Sequence, residues 1–314
     1  MTKHSVAISG AAGRVGVNIV QHLLKMGYDV HALVRAPLAA GHPLTREDAT
    51  VTTLDLATLA EPQIAQWLAA VRPHAFIHAA ALADPAACER QPSLAYLMNA
   101  QATRMLARAC AQSQTHLIML STEHVFGGAP QPQTLYHECD PVQPLNHYGK
   151  SKVQGELATQ EECAGNALWT ICRISTVYGL TGGSPQWHRP DFVQWVLSML
   201  ERNEAFNVVT DQVNSPIYAN DLIAILGAVV QQRLQGIYHV AGSTPISRYH
   251  FARKVAQTYN LNEALIQPIC TAKLGLSLQR ALNVGLCVDK ISRASGIAPL
   301  SLEEGLARYK EQNM

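Results

Sequence analysis

Tyr148 and Lys152 are the two side chains in this sequence best suited to acid–base chemistry. They lie four residues apart in Tyr148-Gly149-Lys150-Ser151-Lys152, so a helix here would place them on one face, about 6 Å apart. A phenol titrates near 10, and its pKa must fall by about 3 units, or roughly 4 kcal/mol, to exchange protons near neutrality. A lysine ammonium and an oxidised nicotinamide ring, if both lie nearby, lower the pKa of a phenol. We therefore expect Lys152 and such a ring together to lower the pKa of Tyr148.

A hydroxyl group at the end of a predicted strand is the second candidate. Thr122 lies in Ser121-Thr122-Glu123-His124, directly after the strand predicted over 116–120. Ligands of open α/β sheets bind outside the carboxyl ends of the strands. A hydroxyl there can donate a hydrogen bond to a carbonyl oxygen of a substrate as negative charge develops on it. The alternative interpretation is a polar turn that ends the strand.

Glycines between the first predicted strand and the first predicted helix indicate a dinucleotide site. The segment is Ser9-Gly10-Ala11-Ala12-Gly13-Arg14-Val15-Gly16, with the spacing G-x-x-G-x-x-G. Small residues let the backbone approach a pyrophosphate, and a helix N-terminus offers free N–H groups and partial positive charge. The alternative is an ordinary glycine-rich turn. The predicted cofactor contacts in this segment are Gly10, Ala12, Gly13, Arg14, Val15 and Gly16.

The end of the second predicted strand indicates which dinucleotide binds. An acidic residue there accepts hydrogen bonds from the ribose of NAD, whereas an arginine suits the 2′-phosphate of NADP. The strand ends at Arg35, while Asp29 lies at its beginning, too early for that role. Arg14 could add a second cation. We therefore favour NADP(H) over NAD(H), the alternative being that both arginines are solvated surface charges.

The elements that position these residues predict an α/β protein. Strands over 5–9, 28–34, 75–80, 116–120 and 168–174 alternate with helical patterns, one of them a long helix over 94–111. This order predicts a Rossmann-type, doubly wound parallel sheet. Residues 181–185 interrupt the alternation of strands and helices, and a smaller C-terminal substrate-binding lobe is expected after them. We assign residues 1–174 plus about 217–242 to the NADP(H)-binding domain, and about 175–216 plus 243–314 to the lobe.

Composition limits the classes of partner. The 314 residues carry a formal net charge of +1 without a basic run, which does not favour nucleic acid. The longest apolar stretch, 222–230, is far shorter than the about 20 residues that cross a bilayer. We see no signal peptide. The seven cysteines include no C-x-x-C pair, which indicates reduced thiols in the cytoplasm rather than disulfides or a metal site.

These segments together resemble the extended short-chain dehydrogenase/reductase family of the NAD-dependent epimerase/dehydratase superfamily. Within it, the chain is most similar to dTDP-4-dehydrorhamnose reductases and related nucleotide-sugar reductases, over nearly its whole length. The matching segments are the glycines at 10, 13 and 16, Asp55-Leu56, His78-Ala79-Ala80-Ala81, Asn99, and residues 121–128, 144–152, 173–179, 211–218 and 236–242.

The resemblance implies a role for each matching residue. Thr122, Tyr148 and Lys152 match the catalytic residues, and Lys152 would also hold the nicotinamide ribose. Further cofactor contacts would come from Asp55, Leu56, Ala79, Ala80, Ala81 and Asn99. The substrate contacts would include Glu123, His124, Ser175, Asp211 and Gln212. The family commonly forms homodimers through the helices predicted here over 94–111 and 150–163. The resemblance thus implies reduction of a keto group on a nucleotide-linked sugar.

Three departures leave alternatives open. Glu123 and His124 replace the Asp-Tyr of these reductases, and His78 replaces an asparagine, where a hydrogen-bonded histidine at a strand end is the simplest interpretation. Trp187 and Arg189 could contact a base or a phosphate, or could simply be exposed. One alternative function is an epimerase of the same superfamily. Another is a non-catalytic binding subunit, because the regulatory subunit of methionine adenosyltransferase resembles these reductases.

Overall fold

The secondary structure follows a repeating strand–helix order from the N-terminus. The computed structural model describes residues 4–58, 60–129, 134–165, 167–180, 190–275 and 279–313. The described strands are β1 (Ser5–Ser9), β2 (Asp29–Val34), β3 (Thr50–Thr53), β4 (Ala75–His78), β5 (His116–Thr122), β6 (Trp169–Ile174), β7 (Val177–Tyr178), β8 (Phe206–Val209), β9 (Val213–Asn214), β10 (Ile217–Tyr218), β11 (Gly236–Val240), β12 (Ile246–Ser247) and β13 (Ile266–Ile269). The described helices are α1 (Arg14–Lys25), α2 (Glu61–Val71), α3 (Pro85–Arg90), α4 (Pro92–Tyr96), α5 (Ala102–Ser113), α6 (His147–Cys163), α7 (Phe192–Glu201), α8 (Ala219–Gln232), α9 (Arg248–Tyr259), α10 (Asp289–Ser295) and α11 (Leu302–Gln312).

Seven of the described strands form one parallel sheet in the order β11-β6-β5-β4-β1-β2-β3. The chain builds outward from β1 to β3, then returns to place β4 on the other side of β1. This reversal is a topological switch point, where ligands of doubly wound sheets bind. The predicted Rossmann-type fold is confirmed.

Both faces of the sheet are covered, because alternate side chains of each strand point to opposite sides. In β1, Val6 and Ile8 pack with residues of α1 and α8, whereas Ala7 packs with residues of α2 and α5. Burial on both sides accounts for the uninterrupted apolar runs that predicted these strands. The packed helices fix the carboxyl ends of β1, β4 and β5 at one edge.

A second apolar cluster lies in the C-terminal part of the chain. Helices α7, α9 and α11 pack around Tyr178, Phe206 and Phe251, with the short pair β8–β13 at their side. The helix α10 differs from its neighbours in sequence, because Ile291 packs in the core cluster that contains α8 and β1. Its residues fall in the range assigned above to the lobe, yet they pack on the sheet side.

Several predicted elements differ in detail, and the strand predicted over 75–80 ends at His78. The strand predicted over 116–120 extends to Thr122, and the long helix predicted over 94–111 is interrupted by a π-helical segment at Leu97–Gln101. The sequence break at 181–185 lies outside the described residues. Among the residues that the structure describes, no helix is both long and apolar enough to cross a bilayer.

Candidate active site

The helix α6 begins so that Tyr148 and Lys152 lie on its inner face. The side chain of Asn146 caps the helix, its Oδ1 accepting a hydrogen bond from the N–H of Gly149 at 2.9 Å. A Cβ atom at Gly149 would meet the carbonyl oxygen of His124, so glycine permits α6 to approach the segment after β5. Lys152 is 2% exposed. The predicted helix and the shared face are both present.

Thr122 is the last residue of β5 and lies beside the phenol of Tyr148. Its side chain is 5% exposed, and its Oγ1 accepts a hydrogen bond from the N–H of His124 at 3.2 Å. A hydrogen bond from Thr122 also lowers the pKa of Tyr148. The hydroxyl and the phenol therefore come together from the end of one strand and the start of one helix, and Lys152 follows the phenol by one turn of that helix.

Burial dominates the electrostatics of this group. It raises the pKa of Tyr148 to about 12 in the protein without cofactor. Burial also lowers the pKa of Lys152 to about 8, against the opposing charge of Glu156. At neutral pH the phenol keeps its proton and the lysine is mostly charged. This is the protonation state of a proton donor with a cation at its side.

The turn between β1 and α1 suits a pyrophosphate. Gly10 has φ +70°, and a Cβ there would lie 2.7 Å from the backbone nitrogen of Ala80. A Cβ at Gly16 would overlap the carbonyl oxygen of Gly10, so this turn requires glycine at both positions. Gly13 is the N-cap of α1, and no side chain caps it. The N–H groups of this first turn, together with the partial positive charge of the helix N-terminus, fit the phosphates of a dinucleotide.

The two arginines predicted near the cofactor have different surroundings. Arg35 follows β2 directly and is exposed, at the position where a 2′-phosphate would be bound. Arg14 begins α1, and its guanidinium donates to Asp191 and Gln194, at 3.1 Å each. This ion pair joins the glycine-rich turn to the N-terminus of α7. Ala12 and Val15 lie beside these residues, packed against the main core.

The predicted cofactor contacts Asp55 and Leu56 follow β3. The carboxylate of Asp55 accepts a hydrogen bond from the N–H of Ala57 at 3.0 Å, and Leu56 is 7% exposed. The residue pair therefore forms a local turn at the same edge of the sheet as the glycines.

The segment after β4 is held in place by Asn99 and His78. Asn99 lies in the π-helical segment. Its side-chain oxygen accepts a hydrogen bond from the N–H of Leu82, and its side-chain nitrogen donates to the carbonyl oxygen of Leu82 and to the hydroxyl of Ser151. Ala79, Ala80 and Ala81 therefore run between the glycine-rich turn and α6. Short π-helical segments often occur at functional sites.

His78 is the hydrogen-bonded histidine that its position at a strand end predicts. Its ring nitrogens contact the hydroxyl groups of Ser9 at 2.7 Å and Thr103 at 3.1 Å. Burial and the charge of Lys152 lower its pKa to about 3, so the ring is neutral.

Beyond Thr122, a small cleft combines a carboxyl group with two arginines. Glu123 is 4% exposed; its Oε1 accepts a hydrogen bond from Asn214 at 3.2 Å, and its Oε2 has no partner among the described residues. Arg248 and Arg280 line the same cleft.

Burial changes the pKa of two groups in this cleft. It raises the pKa of Glu123 to about 7 and lowers the pKa of His124 to about 4. The ring of His124 lies 5.5 Å from that of Tyr148, which connects the cleft to the phenol.

Three further predicted substrate contacts are placed differently. Ser175 lies next to Glu123, and its nearby hydroxyl group lowers the pKa of that carboxyl group. Gln212 lines the cleft and donates to the hydroxyl of Thr271 at 3.0 Å. Both carboxylate oxygens of Asp211 accept from the N–H of Thr271 at 3.0 Å, outside the residues that line the cleft. Trp187 and Arg189 lie outside the described residues.

Sequence reasoning missed Arg248, Arg280 and Asn214. Arg248 is the first residue of α9, Arg280 lies in a connecting segment, and Asn214 ends a two-residue strand. Single polar residues at such positions have no distinctive spacing. Only the packing of the C-terminal part against the end of β5 reveals them as part of the site.

The doubly wound sheet, the glycine-rich turn and the Thr-Tyr-Lys group define a member of the extended short-chain dehydrogenase/reductase class. Residues 4–314 match the family described as RmlD substrate binding domain. The chain belongs to this family.

Relatives and solved structures agree with this membership. A dTDP-4-dehydrorhamnose reductase of Aggregatibacter actinomycetemcomitans is 29% identical over 317 residues, covering 96% of this chain and 97% of the relative. The crystal structure of dTDP-4-dehydrorhamnose reductase from Bacillus anthracis str. Ames in complex with NADP matches with a TM-score of 0.82 and 28% identity, covering 99% and 100% of the two chains. Methionine adenosyltransferase 2 subunit beta of Xenopus tropicalis is 31% identical over 230 residues, covering 71% of this chain and 65% of the relative.

Proposed function

We propose that this protein reduces a keto group on a nucleotide-linked sugar, with NADPH as the reductant. The observation that carries the proposal is the meeting of Thr122, Tyr148 and Lys152 at the switch-point edge of the sheet. They lie at the same edge as the glycine-rich turn, where the N-terminus of α1 suits the phosphates of a dinucleotide. The reductases named among the relatives support the same reaction class.

The chemistry of the chain follows from the protonation states. A bound nicotinamide dinucleotide supplies the hydride to the carbonyl carbon. Thr122 donates a hydrogen bond to the carbonyl oxygen, which stabilises the charge that develops there. Tyr148, with its pKa of about 12, arrives protonated and passes its proton to the more basic alkoxide. Lys152 stabilises the phenolate that remains, since its ammonium lies on the same helix face.

The cleft beside this group suits a polar, anionic substrate. Arg248 and Arg280 present guanidinium groups to the cleft. A guanidinium group can donate two parallel hydrogen bonds to the oxygens of one phosphate. Glu123, whose pKa of about 7 leaves it partly protonated, can donate or accept a hydrogen bond from sugar hydroxyl groups. Ser175 and Gln212 would add further polar contacts. We assign Asp211 a supporting role, because its carboxylate holds Thr271.

The cofactor preference rests on Arg35. It is exposed at the end of β2, where its charge is free to meet a 2′-phosphate. The relative from Bacillus anthracis was crystallised with NADP, which supports the same preference. We also propose that the protein is cytoplasmic, as its cysteine pattern indicates, and that it forms a homodimer through α5 and α6, as the resemblance implies.

The decisive assay measures oxidation of NADPH and NADH against a panel of keto-sugar nucleotides, beginning with dTDP-4-dehydrorhamnose. Wild-type protein is expected to consume NADPH with at least one of them. Tyr148→Phe should lower turnover by about 10²–10⁴-fold while leaving NADPH binding nearly intact. Tyr249→Phe, which removes a phenol from α9, is the matched control and should retain activity. Full activity of Tyr148→Phe would contradict the assignment.

Two other functions give different outcomes in the same experiment. An epimerase would copurify with tightly bound NAD and convert a substrate without steady consumption of NADPH. A regulatory subunit is favoured only by the similarity to methionine adenosyltransferase 2 subunit beta. It would show a stoichiometric protein partner and no turnover of any keto-sugar.

A further inference from the structure

A buried ion pair lies one helical turn beyond Lys152. Glu156 of α6 is 2% exposed, and Arg173 of β6 is 3% exposed. The guanidinium donates to Glu156 through Nε at 3.1 Å and through a terminal nitrogen at 2.8 Å. Ser121 donates to the same carboxylate at 2.5 Å. The carboxylate thus receives hydrogen bonds from two neighbouring strands.

These contacts join the two elements that carry the proposed catalytic group. Ser121 directly precedes Thr122 in β5, while Glu156 follows Lys152 by four residues in α6. The register of the sheet places Ser121 opposite Arg173. One carboxylate therefore connects the strand that ends in the hydroxyl to the helix that bears the phenol and the ammonium.

The negative charge of Glu156 opposes the effect that burial has on the pKa of Lys152. Its ammonium forms no hydrogen bond or ion pair with another side chain in the described part of the chain. The neighbouring groups are His78 from β4, which is neutral, Tyr148 and Glu156 from α6, and Arg173 from β6 behind Glu156. Glu123, at the end of β5, faces Tyr148. Of these groups, Glu156 is the one whose charge raises the pKa of Lys152.

Stability alone does not account for such a pair. Replacement of a buried ion pair by apolar side chains of similar volume is often neutral or stabilising, because desolvation offsets the attraction. The position of Glu156, next to both halves of the catalytic group, provides a functional reason for the charge.

We propose that Glu156 is a positioning residue, which keeps Lys152 charged and fixes Thr122 against Tyr148. Only the effect of Glu156 on catalysis depends on the proposed function; its effect on the charge of Lys152 does not. Two variants separate the two roles. Glu156→Gln removes the charge but keeps an oxygen for the hydrogen bonds, whereas Ser121→Ala keeps the charge and removes the connection to β5.

The first test reads the charge state without turnover. Nitrogen-15 NMR of the lysine side chains, assigned with Lys152→Met, gives the pKa of Lys152 in the free protein. We expect this pKa near 8 in the wild type and about one unit lower in Glu156→Gln. Ser121→Ala should leave it unchanged. Glu162→Gln is the matched control, since Glu162 lies on the same helix but pairs with Arg104 and Arg108.

The second test uses the pH dependence of kcat. The alkaline limb should move toward lower pH by about one unit in Glu156→Gln, and stay in place in Ser121→Ala while kcat falls at every pH. An unchanged Lys152 pKa in Glu156→Gln overturns the inference. A loss of kcat in Glu156→Gln that is equal at every pH, without a shift of the alkaline limb, overturns it as well. If no keto-sugar is turned over, the proposed function fails, yet the NMR titration still decides whether Glu156 controls the charge of Lys152.

Discussion

Replacing Lys152 by methionine should stabilise the folded protein while abolishing turnover. Burial lowers the pKa of Lys152 from 10.5 to about 8, which means that the folded state opposes its charge. At about 1.36 kcal/mol per pKa unit, the cost of keeping this ammonium protonated is on the order of 3 kcal/mol. Methionine has a similar length and carries no charge. Lys152→Met should therefore raise the free energy of unfolding near neutral pH by an amount of this order.

The pH dependence of this gain gives the sharper test. Below about pH 8 both the folded and the unfolded wild type carry the proton, so the full cost is present. Between about 8 and 10.5 the folded protein has lost the proton while the unfolded chain retains it, so the wild type gains stability as the pH rises. The advantage of Lys152→Met should shrink over this interval. Urea unfolding followed by tryptophan fluorescence measures the difference in the free energy of unfolding between the variant and the wild type. A difference that does not change with pH, or a variant that is less stable than the wild type at neutral pH, would contradict this prediction.

Three further substitutions test other parts of the site. Arg35→Ala should weaken NADPH binding by about 10-fold or more and leave NADH binding unchanged in fluorescence titrations; equal losses for both would contradict the role of Arg35. Gly10→Ala should lower the Tm and the affinity for NADPH, because a Cβ would lie 2.7 Å from Ala80 at a φ of +70°; an unchanged Tm would disprove the steric argument. Arg173→Met should cost about 3–5 kcal/mol in chemical denaturation by leaving Glu156 buried without its partner, and the addition of Glu156→Gln should recover part of that loss.

The predictable parts of this protein depend on short-range patterns. The strand β1, the glycine-rich turn and α1 follow each other in sequence, so their spacing alone predicts the dinucleotide site. Tyr148 and Lys152 lie on one helix, where a four-residue spacing fixes a shared face. The parallel order of the sheet follows from alternating strands and helices, since connections of this kind have a fixed hand.

The remaining parts depend on contacts between distant segments. Arg248 and Arg280 join Glu123 only because the C-terminal part packs over the end of β5. The ion pair of Arg14 with Asp191 likewise joins segments that no local pattern relates. The sequence shows the lysine near Tyr148 but not the extent of burial, which raises the pKa of Tyr148 in the protein without cofactor. Burial is a property of the assembled fold.

A crystal structure of the protein with NADP⁺ bound is the most direct test of this active site. We expect the nicotinamide ring to lie beside Thr122 and Tyr148, the ammonium of Lys152 to be within hydrogen-bond distance of the ribose hydroxyl groups, and the pyrophosphate to contact the N-terminus of α1. A nicotinamide ring bound away from these side chains, or a Tyr148 hydroxyl turned away from it, would contradict the assignment of these residues.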